Sequence, residues 1–408
     1  MRVQHVLAGA VLSAAIAIPA VAAPDEEQLG KADGYPIGTQ ATWFFAERER
    51  VGSFSHLDAL YPHHTLAKAA VASPLPKAHP APRIAYRFEG HDFSLDDFLE
   101  HQRVTGLLIL KDGQVLAERY QYDRKPTHRF VAHSMAKTIV SLAVGLALAD
   151  GKIASLDDKV AKYAPRLAGC AYGETSIRSI LRMSSGVAFK EVYDGNDDLN
   201  RFVRLRNREG TVAALCAFTK REAPEGSRFH YASIETAVLA VLMHAVTGTS
   251  LSAYMTEKLW QPMGAEADAT WLRGGDGLDA AFGGFNAVLR DYGRLGMLLA
   301  NDGVLAGRQI LPKSYLMEAT DWHRQPVAFV PSKATPYFGY GYQVWLFPGE
   351  KRRFALLGVY GQSIFVDPGL KLVMVITAVA KNPRVANDQF ARERGALWRD
   401  LVTAYGAW

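Results

Sequence analysis

The residues of this chain best suited to chemistry are Ser134 and Lys137, in the run His133-Ser134-Met135-Ala136-Lys137-Thr138. A serine and a lysine three apart at the start of a helix share one face, one turn from each other. From Thr138 to Ala149 the chain carries no charge, and Ile139, Val140, Leu142, Val144, Leu146 and Leu148 make the segment apolar on every side. Such a helix is buried nearly all round. Lys137 is then a cation at the root of a buried helix, and burial lowers a lysine pKa until the amine can accept a proton. The Ser134 hydroxyl is the natural donor. Backbone N–H groups at the helix start suit a developing oxyanion. Serine also caps helices, and Ser-x-x-Lys arises by chance in a chain this long. The charge-free helix behind the pair tips the reading toward a nucleophile and its base.

A second group is Pro224-Glu225-Gly226-Ser227-Arg228-Phe229-His230-Tyr231-Ala232-Ser233, which leads into the apolar segment Ile234 to Val246. A phenol has a pKa near 10 in water, but beside a lysine cation its anion becomes accessible. Tyr231 could then take the Ser134 proton and later return one to a leaving group. On its own Tyr-x-Ser says little, and a core tyrosine is the default.

Together these segments resemble the class C β-lactamase and DD-peptidase-like serine hydrolase family, which includes esterases and 6-aminohexanoate-dimer hydrolases. The likeness runs from about residue 90 to the C-terminus. Ser134-Met135-Ala136-Lys137 looks like the family's first motif and Tyr231-Ala232-Ser233 like its second. Ala147 to Ile153 with Leu156-Asp157-Asp158, Ile177 to Gly186, and Gly283-Gly284-Phe285-Asn286 followed by Asp291 to Gly296 resemble its other landmarks. The resemblance implies a cofactor-free acyl-enzyme mechanism with Ser134, Lys137 and Tyr231 as catalytic residues. The third motif departs. Many members carry Lys-Thr-Gly or His-x-Gly, whereas this chain has Leu356-Leu357-Gly358-Val359-Tyr360-Gly361-Gln362, closer in style to esterases and amide hydrolases. By that match the N–H groups of Ser134 and Val359 form the oxyanion hole, and Gly358 and Tyr360 lie against substrate. The missing cation, which helps hold a substrate carboxylate, puts β-lactamase and carboxypeptidase activity in doubt. Tyr193, in Val192-Tyr193-Asp194-Gly195, matches a loop tyrosine that closes over the amide in nylon-oligomer hydrolases.

Positioning these groups requires a sheet and helices. Thr105–Leu110, the turn Lys111-Asp112-Gly113 and Val115–Tyr120 read as a hairpin. Ser363–Val366 and Leu370–Ala378 read as further strands, so the sheet is assembled from both ends of the chain. Helices are expected over 134–150, 176–183, 234–246 and 291–300. The tyrosines 337, 340 and 342 with Trp345 read as a core or pocket-lining strand. The fold class is α+β: a β-lactamase-like antiparallel sheet flanked by helices, with an inserted helical lobe at roughly 150–290.

The 408 residues, 49% hydrophobic and 21% charged, suffice for such a domain over 89–408. Residues 23–88 form an N-terminal arm with a proline-rich linker, and Trp43-Phe44 is its expected anchor. Residues 1–22 read as a signal peptide: Arg2, an apolar run over 6–18, Pro19, then Ala20-Val21-Ala22. A periplasmic or secreted location follows, with no stable membrane span after its removal. The net charge of +5 is scattered, which argues against nucleic acid, and Lys351-Arg352-Arg353 reads as a solvated turn. Cys170 and Cys216 either pair as a disulfide or stand as two buried thiols. The histidines show no zinc spacing, so neither metal nor organic cofactor is expected. The partner is a small amide or ester, and the oligomeric state is open. The rival reading is a non-catalytic or slowly acylated penicillin- or peptide-binding protein.

Overall fold

The computed structural model describes residues 23–384 and 388–408, so the expected signal peptide at 1–22 lies outside the described residues. In chain order the elements that matter here are β1 (His63–Leu66), β2 (Val104–Lys111), β3 (Gln114–Tyr120), β4 (Arg129–Val131), α1 (Met135–Ala149), α2 (Asp198–Glu209), α3 (Ser233–Thr247), β5 (Ala269–Leu272), β6 (Phe285–Val288), α4 (Leu289–Ala300), β7 (Gly339–Tyr340), β8 (Trp345–Leu346), β9 (Phe354–Leu357), β10 (Ser363–Asp367), β11 (Leu372–Ala378) and α5 (Gln389–Tyr405).

Seven strands form one antiparallel sheet in the order β7-β8-β9-β10-β11-β2-β3. Its centre joins the two ends of the chain: Leu372 pairs with Lys111 and Ile376 with Leu107 across β11 and β2. Both faces are covered, which explains why these strands are apolar throughout rather than alternating. Leu108, Leu110, Val373 and Val375 face the core that contains α4. Leu107, Ile109, Met374 and Ile376 face the core that contains α5. Two glycines bring α4 onto the sheet: a Cβ at Gly293 would lie 2.5 Å from Leu108, and one at Gly296 2.5 Å from Val373. The β2–β3 hairpin turns at Asp112 and Gly113, φ 50° and 77°, as an Asp-Gly turn requires.

A second sheet, β1-β5-β6-β4, underlies the site. Between β4 and β5 lies the helical portion, where Cys170 and Cys216 are joined as a disulfide with Cα atoms 5.0 Å apart. The fold class expected from sequence is therefore observed: antiparallel sheet, flanking helices and an inserted helical segment.

One expectation needs correction. Arg352 and Arg353 are not solvated: Arg353, 2% exposed, pairs with Asp367 at 2.5 Å, and Arg352 meets Asp302 and Thr320. The segment around residue 77 is tied down, with Val115 N donating to Pro76 O at 2.7 Å. Among the described residues no single helix is long and apolar enough to cross a membrane. One bent pair, α3 with Leu251–Trp260, passes on length and composition, but α3 is buried in the core through Met243.

Candidate active site

Helix α1 is buried from Met135 through Ala147, as its lack of charge demands. It is held along its length: Thr138 Oγ1 donates to Gln343 O at 2.7 Å, and Ser141 meets the Tyr315 hydroxyl at 2.8 Å. The chain enters it through a tight turn, since His133 has φ 44°, in the left-handed region uncommon for residues other than glycine. Ser134 occupies the N-cap, yet its hydroxyl makes no capping hydrogen bond. That hydroxyl is instead met by Lys137, whose Nζ donates to Ser134 Oγ at 2.8 Å and to Phe282 O at 2.8 Å. The capping explanation for Ser134 therefore fails, and the hydroxyl is free for Lys137.

Burial pushes the Lys137 ammonium down to about 8, against a smaller opposing pull from the Glu191 carboxylate. Tyr231 joins the pair: Lys137 Nζ lies 5.2 Å from its ring centroid. Trp345 stacks on Tyr231 at 5.6 Å and Tyr340 meets it edge-on at 6.5 Å, so the aromatic strand residues wall this side chain rather than the cavity. Burial, then the charge of Glu191, pushes the phenol well above its ordinary value, while the neighbouring Ser134 and Ser233 hydroxyls pull the other way. The phenol makes no full hydrogen bond to Ser134. Of the two states expected of Tyr231, anionic or sharing its proton with Lys137, burial disfavours the anion.

The oxyanion pair is brought together by close packing. A Cβ on Gly358 would lie 2.6 Å from Ala132 O, so only glycine lets β9 approach the turn before Ser134 this closely. Val359 follows directly and lines the same cavity as Ser134. Neither the Ser134 N–H nor the Val359 N–H has an acceptor among the described residues. Gln362 fixes this loop: its Nε2 donates to Ala378 O at 2.7 Å and Val359 O at 3.2 Å, and its Oε1 accepts from Ala378 N at 3.0 Å.

Sequence reasoning missed Glu191. This buried carboxylate accepts from Ser233 N and Ser233 Oγ, both at 2.7 Å, and from the Tyr193 hydroxyl at 2.6 Å. It thereby joins the second motif to the loop carrying Tyr193. No local pattern singles it out, because its partners are 42 and 2 residues away. Tyr193 lines the cavity as expected of a substrate-contacting residue. Tyr360 does not: its hydroxyl donates to Phe44 O at 3.0 Å and Arg50 stacks over its ring at 4.2 Å. Gly358 packs on Ala132 and acts through Val359 rather than by touching the cavity.

The N-terminal arm closes the site. Trp43 stacks parallel to His133 at 6.1 Å, Phe54 meets the same imidazole at 4.6 Å, and Phe44 packs on Tyr360 at 5.2 Å. The anchor expected at Trp43-Phe44 is thus seated on the residues flanking the nucleophile and the oxyanion loop. Burial, then the charges of Lys137 and Arg50, pushes His133 down to about 3, so the imidazole is neutral. The cavity between arm and body measures about 500 Å³, large enough for a small organic substrate. Among the described residues no group of three or more His, Cys, Asp or Glu is placed to hold a metal.

A buried Ser–Lys pair at a helix start, beside a tyrosine and on this fold, defines an active-site serine hydrolase. The chain belongs to the Beta-lactamase family, whose model matches residues 94–397. It is 26% identical over 355 residues to the 6-aminohexanoate-dimer hydrolase of Paenarthrobacter ureafaciens, spanning 85% of this chain and 88% of that protein. Among solved structures it resembles a Bacillus anthracis protein provisionally assigned as a 6-aminohexanoate-dimer hydrolase, with TM-score 0.78, 22% identity and coverage of 87% and 94% of the two chains. It also resembles EstCE1, a hydrolase with promiscuous acyltransferase activity, with TM-score 0.57, 18% identity and coverage of 74% and 96%.

Proposed function

We propose that this protein is an exported hydrolase that cleaves a small amide or ester through an acyl-enzyme on Ser134. The observation that carries the reading is the 2.8 Å contact of Lys137 Nζ with a Ser134 hydroxyl that caps nothing. The activities named for the 6-aminohexanoate-dimer hydrolase and for EstCE1 support the same class of reaction. Export rests on the sequence of residues 1–22.

In the proposed cycle neutral Lys137 accepts the Ser134 proton and Oγ attacks the substrate carbonyl. The N–H groups of Ser134 and Val359 hold the oxyanion. Tyr231 gives its proton to the leaving nitrogen or oxygen and recovers one from the Lys137 ammonium. Water, deprotonated by the same pair, then releases the acyl group. The amine, rather than a tyrosinate, starts the cycle because burial lowers the pKa of one and raises that of the other.

The test is intact-mass measurement after treatment with a fluorophosphonate, with p-nitrophenyl butyrate turnover in parallel. Wild type should gain one adduct and turn over the ester. Ser134→Ala should do neither while keeping its thermal melt. An S134A protein that hydrolyses the ester at the wild-type rate would sink the assignment. A permanent adduct with a cephalosporin, and no ester turnover, would favour the slowly acylated binding protein.

A further inference from the structure

The cavity wall beyond the catalytic groups holds two cations with no carboxylate to answer them. Arg206, on α2, and Arg273, just after β5, both line it. Among the described residues neither forms an ion pair within 4.0 Å. Arg206 makes one weak side-chain contact, to Asn207 Oδ1 at 3.3 Å, and its Nε is buried without a partner. Asp276 acts on Arg206 from a distance, but its oxygens accept from Thr211 N at 2.7 Å and Leu278 N at 3.3 Å. The carboxylate lining the cavity is Glu191, already bound by Ser233 and Tyr193.

The two arginine-bearing segments meet the same stretch of the arm, Tyr61-Pro62. Arg206 acts on the Tyr61 phenol, and Arg273 N donates to the next residue's carbonyl, Pro62 O, at 3.0 Å. The Phe282 ring relates Arg206 to the catalytic amine, its centroid lying 5.9 Å from Lys137 Nζ and 6.0 Å from the Arg206 guanidinium carbon. The wall also carries apolar side chains, with Leu199, Val203 and Leu272 among its residues. A buried donor without a partner costs free energy unless a ligand supplies one, and a guanidinium pairs best with a planar anion.

We infer that the substrate carries a carboxylate several methylene groups from the scissile carbonyl, and that Arg206 and Arg273 receive it. The carboxylate lies on the acyl side. Ser134 and Val359, which hold the oxyanion, line this cavity, whereas Tyr231, the donor to the leaving group, does not. The substrate class is thus a monoester or monoamide of a short linear dicarboxylic acid. This inference rests on the hydrolase reading above.

The test compares mono-(4-nitrophenyl) adipate with its methyl ester, identical except for the terminal charge. Wild type should prefer the free acid by at least tenfold in kcat/KM, with the preference falling as salt rises. Arg206→Gln should cut that preference tenfold or more, mainly through KM, Arg206→Lys should restore part of it, and Arg273→Gln should reduce it. A second measurement, the melting shift of Ser134→Ala with millimolar adipate, reads binding without turnover and should vanish when Arg206→Gln is added. Equal kcat/KM for the two esters in wild type would overturn the inference while leaving the hydrolase intact. So would an Arg206→Gln variant that lowers both esters equally. No turnover of either ester, with no fluorophosphonate adduct, would instead overturn the hydrolase reading.

Discussion

Lys137 Nζ sits 2.8 Å from Ser134 Oγ and 2.8 Å from Phe282 O, so the amine is held against the hydroxyl from a fixed position. With its pKa at about 8, this amine should govern the pH dependence of turnover. The neutral amine is the base, so kcat/KM should rise with pH through an apparent pKa near 8. Lys137→Met should lower kcat by ~10²–10⁴-fold, the range for a lost general base. A pH–rate profile of both proteins checks this; a wild-type rate flat between pH 6 and 9 contradicts it.

Glu191 opposes the fall in the Lys137 pKa and adds to the rise in that of Tyr231. Replacing it by glutamine keeps acceptor capacity for Ser233 but removes the charge. The acid limb of Glu191→Gln should therefore move to lower pH than in wild type. An unmoved limb would mean that Glu191 only fixes the geometry of Ser233 and Tyr193.

Val359→Pro removes the second oxyanion N–H, and the preceding Gly358, at φ −129° and ψ 155°, already has the extended backbone proline demands of its neighbour. We expect kcat to fall by ~10²–10³-fold with KM little changed, the size of one lost oxyanion donor. Steady-state kinetics on p-nitrophenyl butyrate, with circular dichroism as the folding control, decides the matter.

Two buried groups outside the reaction contribute to the pH dependence of stability. Burial pushes Glu235 up to about 8, one oxygen serving Ser185 at 2.7 Å and the other unpartnered. The folded state then holds a proton that the unfolded state gives up near pH 4.5, so stability falls as pH rises from there toward 8. His133 works the other way: with its folded pKa at about 3, stability is lost as pH falls below 6.5. Glu235→Gln should flatten the slope between pH 4.5 and 8, by at most ~1.4 kcal/mol per pH unit. Denaturant midpoints at pH 5, 6.5 and 8 would reveal no difference in slope if Glu235 ionises normally.

The arm predicts its own phenotype. Trp43→Ala opens space over His133 and, because Trp43 is only partly buried, should cost ~1–3 kcal/mol. Because that imidazole precedes the nucleophile, kcat should fall even at temperatures where the variant is fully folded. A stable Trp43→Ala protein with wild-type kcat would show that the stack is only structural.

What the sequence revealed followed from local rules. Charge-free α1 announced its burial, and Ser134 and Lys137 stood together because a helix turn relates them. The β2–β3 hairpin was marked by its Asp-Gly turn. Gly358-Val359 was found through motif likeness, since nothing local ties it to Ser134. Contacts that depend on distant segments stayed hidden: Glu191 with Ser233, Arg353 with Asp367, and Phe282 with Lys137. Tyr360 was placed against substrate because its backbone neighbour is; its φ of 59° turns the side chain toward Arg50 and Phe44 instead. Helix α2 carries an apolar stripe of Leu199, Phe202 and Val203, but no helix was expected there from sequence, so Arg206 was not singled out.

The stacking of Trp43 on His133, and of Phe44 on Tyr360, has a temporal meaning as well as a spatial one. The arm that walls the cavity is made before the serine, and the oxyanion loop well after it. A chain still emerging from the ribosome owns the serine and the lysine but has nowhere to hold a substrate. Hydrolytic competence arrives only when the arm and the later-made oxyanion loop dock around the serine.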